Sequence, residues 1–301
     1  MAKHTKIAII GAGMVGACAA YSLILKNICS EILVVDLDEK HLDAEVMDLN
    51  DSLSFSDVSV IKSGSLKEAA DADIIVITAG VSQKPGETRI DLLARNRKVF
   101  DDIFKELKPI NDAAIILVVS NPVDLMTLYA QEVSGLPRHQ VFGSGTFLDS
   151  QRLRNMVAGR LNIADSSIHA YILGEHGDSQ FPAWSISNIT GMPLTDFPGI
   201  DEKFLKDCAE GVKQKAYKII AGKRATYYGI SACVAAICED VLFNTRRTLP
   251  LSVYLEQYKV CLSVPVVLGE HGIESQLPLN LEAHEIQQLE ACVDQIKEFL
   301  N

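Results

Sequence analysis

The chain has no long apolar run, no paired cysteine motif and no excess of positive charge, and each absence removes a class of function. Its longest apolar stretch, Ala113 to Val119, falls far short of the ~20 residues that a membrane-spanning helix needs. Met1 to Lys6 lead straight into a strand-like run, so neither a signal peptide nor a membrane partner is expected. The seven cysteines are odd in number and scattered, with no Cys-x-x-Cys among them. Most sit in apolar surroundings, as buried free thiols do. That argues against zinc, any other metal site or a disulfide framework, and for a reducing cytoplasm. The net charge is -11. A polyanion-binding face needs concentrated Lys and Arg, so nucleic acid is a poor partner, and any site for small anions must be a local cationic pocket. Repeats, low-complexity tracts and long linkers are missing too.

What is present is ordinary globular material. Of 301 residues, 48% are hydrophobic and 22% charged, enough for one large domain or two of usual size. Lys6 to Ile10 is a short β-branched run, followed by Gly11-Ala12-Gly13-Met14-Val15-Gly16. A helix is expected over Ala17 to Leu25, and a second strand over Glu31 to Val35, ending at Asp36. Glycines placed between a strand and a helix allow a tight turn and close approach of a pyrophosphate to the helix N-terminus. Asp36, twenty residues past the last glycine, can accept hydrogen bonds from ribose hydroxyls and would repel a 2′-phosphate, which favours NAD over NADP. The alternative is a glycine-rich turn beside an ordinary strand-end acid.

Further strands are expected over Val58 to Ile61, Asp73 to Thr78 and the all-apolar Ile115 to Val119, with a helical turn at Leu66 to Ala70. Ala79-Gly80 offers bare backbone at a strand end. Val81 to Arg89 is polar and of lid-like length. Ser120-Asn121-Pro122 is either a simple turn or part of a site. Alternating strands and helices through Val141 predict an α/β fold: a Rossmann doubly wound parallel sheet over residues 1–143, followed by a mixed α+β substrate domain over 144–301. In the second unit, Asp201 to Ala221, Ala232 to Phe243 and a final segment with an apolar stripe at Ile286, Leu289, Val293, Ile296 and Leu300 predict helices. Leu249 to Leu255 and Val260 to Leu268 predict antiparallel strands.

A histidine stands out in Gly174-Glu175-His176-Gly177-Asp178, just after the apolar run Ile168 to Leu173. A tight turn at a strand end holds a side chain rigidly yet accessibly, and histidine exchanges protons near neutral pH. A surface histidine between two acids is the alternative. Asp149 and Arg152 are three apart and share a helical face; alone, they could be a surface ion pair. Arg154 points to nearly the opposite side. His271, in Glu270-His271-Gly272, repeats the catalytic-looking pattern in a hairpin-like turn without companions, and is expected at the surface.

Taken together, these segments resemble the lactate/malate dehydrogenase family, in its bacterial-like L-lactate branch, over nearly the whole chain and in the same order. The resemblance rests on Gly11 to Gly16, Asp36, Gln83 to Arg89, Ser120 to Asp124, Leu148 to Arg152, His169 to Tyr171 with Gly174 to Asp178, and Ala225 to Gly229. It implies a cytoplasmic NAD-dependent oxidoreductase of small 2-keto and 2-hydroxy acids, usually a homotetramer. Cofactor contacts are implied for Gly11, Gly13, Met14, Val15, Gly16, Asp36, Ala79, Gly80, Asn96, Val119 and Asn121. His176 would exchange the proton. Asp149 would orient the imidazole and favour its charged form. Arg152 would grip the substrate carboxylate bidentately. Arg89 would polarise the carbonyl from the lid. Asn121 would bond near the carbonyl, and Thr226 would line the pocket wall. The Asn121-Pro122 bond is expected to be cis.

Gln83 takes the lid position facing the substrate side chain, where malate enzymes carry arginine. It would leave oxaloacetate's second carboxylate unpaired and so favours pyruvate. Arg154 and His169 match two basic positions that bind fructose 1,6-bisphosphate between subunits in many bacterial members. The chain lacks the N-terminal arm of vertebrate members, the link from Tyr254 to Cys261 is short, and Arg224 stands where relatives often have glycine. The alternatives are a dehydrogenase for malate or a bulkier 2-hydroxy acid, and a non-catalytic NAD-binding sensor.

Overall fold

The computed structural model describes residues 4–56, 60–81 and 89–300, with only the backbone of residues 89 and 90. In chain order the elements are β1 (Lys6–Ile10), α1 (Met14–Lys26), β2 (Glu31–Val35), α2 (Glu39–Ser52), β3 (Val60–Ser63), α3 (Leu66–Ala69), β4 (Ile74–Ile77), α4 (Arg89–Leu107), β5 (Ile115–Val118), α5 (Val123–Ser134) and β6 (Val141–Gly143). There follow α6 (Phe147–Leu161), the two-residue strands β7 (Ile172–Leu173), β8 (Phe181–Pro182), β9 (Asn188–Ile189) and β10 (Met192–Pro193), then α7 (Glu202–Lys223), α8 (Tyr228–Leu242), β11 (Arg247–Leu255), β12 (Val260–Gly269), β13 (Gly272–Gln276) and α9 (Ala283–Glu298).

Runs such as Ile74-Ile75-Val76-Ile77 and Ile115-Ile116-Leu117-Val118 are buried at every position, as strands covered by helices on both faces must be. They lie at the centre of a nine-stranded sheet in the order β13-β12-β11-β6-β5-β4-β1-β2-β3. From β3 to β6 the pairing is parallel. This is the doubly wound order, in which strands are added outward on one side of β1 and then, from β4, on the other. The three strands of the second half join antiparallel, beginning at the Ser252–Gly143 pair. The expected antiparallel region therefore extends the parallel sheet. Helix α5 packs against β5, β6, β11, β12 and α4, and most of its residues are buried.

Three sequence expectations need correction. Ile168 to Leu173 is not one strand: His169 bridges to Asn188, only Ile172–Leu173 pairs with Phe181–Pro182, and Gly174 bridges to Ser263. The run is apolar because it is buried, but its backbone changes partner every few residues. Helix α8 starts at Tyr228, four residues earlier than its apolar pattern indicates. In α9 the stripe narrows to Leu289, Val293 and Ile296, with Ile286 and Leu300 exposed. Of the strand expected over Val58 to Ile61, the first two residues lie outside the described residues, and β3 runs on to Ser63. The short link after β11 is a tight hairpin turn, closed by Lys259 N–H on Leu255 O at 2.8 Å. His271 is exposed at the turn into β13.

Candidate active site

The C-terminal ends of β1, β2 and β4 open on a cavity of about 340 Å³ lined by Gly11, Gly13, Asp36, Ala79 and Gly80 among others. The glycines make this space. Gly11 has φ +108°, and a Cβ there would lie 2.7 Å from Ala79 N; a Cβ on Gly16 would lie 1.8 Å from Gly11 O. Both positions demand glycine because chain packs on chain. Gly13 differs: a Cβ there would meet nothing within 4 Å. It is the N-cap of α1 and no side chain caps it, so the helix N-terminus faces the open side, as a pyrophosphate requires. Met14 is exposed and Val15 half-buried on the first turn. Asp36 accepts from Ala12 N–H at 2.7 Å and Asp38 N–H at 3.0 Å, so its carboxylate is anchored at the cavity wall. Bare glycine, helix end and fixed carboxylate together fit a dinucleotide.

A short hydrogen-bonded route leads from this cavity to the histidine. Asn96, 1% exposed, accepts from Val81 N–H at 2.8 Å and donates to Asn121 O at 2.9 Å. It thus ties the chain beyond Gly80 to the loop after β5. Val119 is buried at the end of that strand, and Asn121 is exposed. The Asn121-Pro122 bond is cis, as expected. Two residues further on, Asp124 in the first turn of α5 accepts His176 N–H at 2.7 Å.

His176 sits where β7 ends. Gly174 has φ +89°, and a Cβ on it would lie 2.5 Å from Cys292 Sγ, so glycine is what lets the chain turn here. The imidazole side chain is 30% exposed, and its Nδ1 lies 2.7 Å from Asp149 Oδ2. A carboxylate only accepts, so Nδ1 carries a proton and Nε2 is the nitrogen left for a ligand. Asp149 is 2% exposed and also accepts from Arg152 Nη1 at 2.9 Å, with Arg152 8% exposed. Burial alone would lower the pKa of His176, but the Asp149 carboxylate outweighs it and the net shift is upward. Burial would likewise raise Asp149, but the His176 and Arg152 charges outweigh it and hold the carboxyl below its usual range. The site is therefore an ordered line of guanidinium, carboxylate and imidazole that favours the charged forms of Asp149 and His176.

Thr226 lies half-buried in the loop between α7 and α8. Gly229 just beyond it would place a Cβ 3.0 Å from Leu148 Cδ1, which sets this loop beside the N-terminal turn of α6 and Asp149. Tyr217 on α7 donates to Asp178 at 2.7 Å, tying that helix to the histidine turn. Arg89 opens α4, but its side chain and all of Gln83 lie outside the described residues.

Two family models divide the chain between them: the NAD binding domain of lactate/malate dehydrogenase over residues 5–143, and its alpha/beta C-terminal domain over 146–301. The chain belongs to the lactate/malate dehydrogenase family. It is 44% identical to an L-lactate dehydrogenase A of Rhizopus oryzae over 99% of its own length and 92% of that protein's. It is 41% identical to an L-lactate dehydrogenase of Acetivibrio thermocellus, over 98% and 96%. Among solved structures, a lactate dehydrogenase from a Medee basin deep-sea metagenome library superposes with a TM-score of 0.95 at 36% identity, over 99% and 98% of the two chains. The minor L-lactate dehydrogenase of Enterococcus mundtii gives 0.94, also at 36%, over 98% and 97%.

Within this family frame, sequence reasoning named the carboxylate, imidazole and guanidinium but assigned nothing to Asp124 or to its second partner, Ser252, whose hydroxyl donates at 2.6 Å. Asp124 was visible only as part of a run of motif residues. Its partners lie 52 and 128 residues away, and no local pattern announces such contacts.

Arg154 leaves α6 on the side away from Arg152. Its Nε donates to Ala170 O at 2.9 Å, and its guanidinium lies 5.0 Å from the Tyr171 ring centroid. With His169 and Arg247 it lines a separate cavity of about 440 Å³ that also includes Asp165.

Proposed function

We propose that this protein, an NAD-dependent oxidoreductase of the lactate/malate dehydrogenase family, interconverts pyruvate and L-lactate. The observation that carries the reading is the His176–Asp149–Arg152 line, one short hydrogen-bonded route away from a cavity suited to a dinucleotide. NADH, when bound, supplies the hydride to the carbonyl carbon. His176 gives its Nε2 proton to the carbonyl oxygen and recovers it when lactate is oxidised. Asp149 keeps Nδ1 protonated and so fixes which nitrogen faces the substrate. Arg152 binds the substrate carboxylate through the part of its fork not turned to Asp149. Arg89 polarises the carbonyl, Asn121 bonds beside it and Thr226 closes the wall. Gln83 selects against a second carboxylate, because a neutral amide cannot pair with it.

The test is NADH oxidation at 340 nm with pyruvate, oxaloacetate and a branched 2-keto acid. A kcat/KM for pyruvate at least about a hundredfold above that for oxaloacetate is expected, since the unpaired carboxylate costs several kcal/mol. Comparable values would overturn the choice of substrate. NADH binding without turnover of any of them would overturn catalysis.

We also propose that the Arg154, His169 and Arg247 cavity binds fructose 1,6-bisphosphate in a homotetramer. Supporting it, burial and the like charge of Arg247 both press the Arg154 pKa downward, a crowding that a phosphate would relieve. Unchanged pyruvate saturation with millimolar bisphosphate would argue against the regulatory site. A monomer in light scattering would argue against the tetramer. Seven free cysteines support a reducing cytoplasm as the working compartment.

A further inference from the structure

Ala12 lies in the turn between β1 and α1, and side chains hold its main chain at both ends. Its N–H donates to Asp36 Oδ2 at 2.7 Å, and His41 Nε2 lies 3.1 Å from its carbonyl oxygen. The circuit closes through the N-cap of α2: Asp38 N–H donates to Asp36 Oδ1 at 3.0 Å, and His41 N–H to Asp38 Oδ1 at 3.0 Å. A carbonyl only accepts, so Nε2 carries the proton in its bond to Ala12. His41 is thus joined to the cavity-wall carboxylate of Asp36 by two routes, one through Asp38 and one through Ala12. No role assigned above involves it.

The residues on either side of Ala12 are fixed by the main chain and by Thr78. Gly11 N–H donates to Val35 O at 2.7 Å, and Gly11 O accepts from Thr78 Oγ1 at 3.0 Å. Gly13 O accepts Ala17 N–H at 2.9 Å in the first turn of α1. The peptide between Ala12 and Gly13 is a different case. Its oxygen belongs to Ala12 and its N–H to Gly13, and in a trans peptide the two point in opposite directions. Holding the oxygen on His41 therefore fixes where the Gly13 N–H points, at the rim of the cavity that Gly13 lines. Glycine on one side makes rotation of this plane cheap. A Cβ on Gly13 would meet nothing within 4 Å, so packing does not hold the plane either. Turned over, it would offer a carbonyl where a pyrophosphate needs a donor.

The competing explanation for His41 is a helix-surface pair, since its Nε2 also lies 3.7 Å from Glu45 Oε1, one turn along α2. That separation is too long for a hydrogen bond, while the one to Ala12 is not. Exposed pairs of this kind also contribute little.

We propose that His41 is a positioning residue for the cofactor: by holding the Ala12 carbonyl it locks the Ala12–Gly13 peptide with its N–H presented to the dinucleotide pyrophosphate. The proposal rests on NAD as the cofactor and not on the choice of keto acid. The experiment compares His41→Leu, His41→Gln and Glu45→Gln in the full chain. It reads NADH affinity by fluorescence, Tm, amide hydrogen exchange over residues 11–16 without cofactor, and kcat and KM for NADH with pyruvate. Leucine removes the donor, so NADH affinity should fall about three- to tenfold, the span of one hydrogen bond, and exchange in the turn should quicken. KM for NADH should rise by the same factor, with kcat at saturation little changed. Tm should hold, because His41 is exposed.

Glutamine, whose amide nitrogen has about the reach of Nε2, should recover most of the affinity and the slow exchange. Glu45→Gln should match the parent. Unchanged NADH affinity in His41→Leu would overturn the proposal, as would a loss that glutamine does not recover. An equal loss in Glu45→Gln would also overturn it, by assigning the effect to the surface pair. A parent that binds NADH but reduces no keto acid would refute the function reading alone, since affinity and exchange still decide the role of His41.

Discussion

At the scale of single residues, the chemistry turns on which groups carry charge near neutral pH. His176 has its pKa raised by Asp149, against burial. Reduction of pyruvate needs the imidazolium, so its kcat/KM should fall as pH rises through that raised value, above the ordinary ~6.5. Oxidation of lactate needs the neutral ring and should rise through the same value. The stability link has the same sign. Protonated His176 contributes fully below its unfolded pKa and loses that contribution as pH rises through the folded one. Asp149, held low, contributes above its unfolded value and loses it as pH falls through the folded one; the two describe one ion pair and count once. Asp149→Asn removes the charge, frees the ring to adopt the wrong tautomer and should lower kcat by about a hundredfold or more. It should also move the alkaline limb of pyruvate reduction downward. Steady-state pH profiles in both directions check this, and an unmoved limb would show that Asp149 is not the group tuning His176. The residues on which this depends were legible in the sequence because glycines and acids flank the histidine and a three-residue spacing joins Asp149 to Arg152. Asp124 was not, since its bond is to a distant main-chain N–H.

Elements show a different division between what the sequence reveals and what only packing decides. Strands covered on both faces, such as β5, announce themselves as unbroken apolar runs. The run around β7 was equally apolar, yet its pairing partners come from three different segments, and periodicity carries no information about partners. Helix ends are a middle case. Asn27, Asn162 and Arg224 all end helices in the left-handed region, with φ 60°, 54° and 74°. Asparagine tolerates that conformation; arginine does so at a cost on the order of 1 kcal/mol. Arg224 N–H caps α7 by donating to Ile220 O at 2.7 Å, so the geometry is imposed by the helix stop and not by the side chain. Arg224→Gly should therefore raise stability by roughly 0.5–1 kcal/mol after the glycine entropy is counted. Asn162→Gly should be nearly neutral. Thermal unfolding of the two variants at one protein concentration separates them, and equal shifts would mean that strain at Arg224 is not what the substitution relieves.

At the scale of the whole molecule, the two units proposed from the sequence, 1–143 and 144–301, share one sheet and one main core. Ile7, Val118, Leu173, Leu251 and Val293 belong to a single cluster, while Leu153, Ile172, Leu194 and Val212 form a smaller one around α6 and α7. The Ser252–Gly143 pair and the Ser231 hydroxyl on Val15 O at 3.1 Å join the halves as well. A ligand held by the first half should then stabilise the second, because neither can unfold and leave the shared core intact. The single tryptophan, Trp184, packs against the smaller cluster and reports on the second half alone. Urea unfolding followed by its fluorescence should coincide with unfolding followed by far-ultraviolet circular dichroism. NAD at about a hundred times its Kd should add ~2.7 kcal/mol to the common transition, shifting both probes together although the cavity of Gly13 and Asp36 lies in the first half. A Trp184 transition that ignores NAD, or a two-step dichroism curve, would mean that the sheet is continuous in geometry but not in cooperativity. The histidine turn, which bonds to β12 through Gly174 and to α5 through His176 N–H, would then straddle two units that open separately.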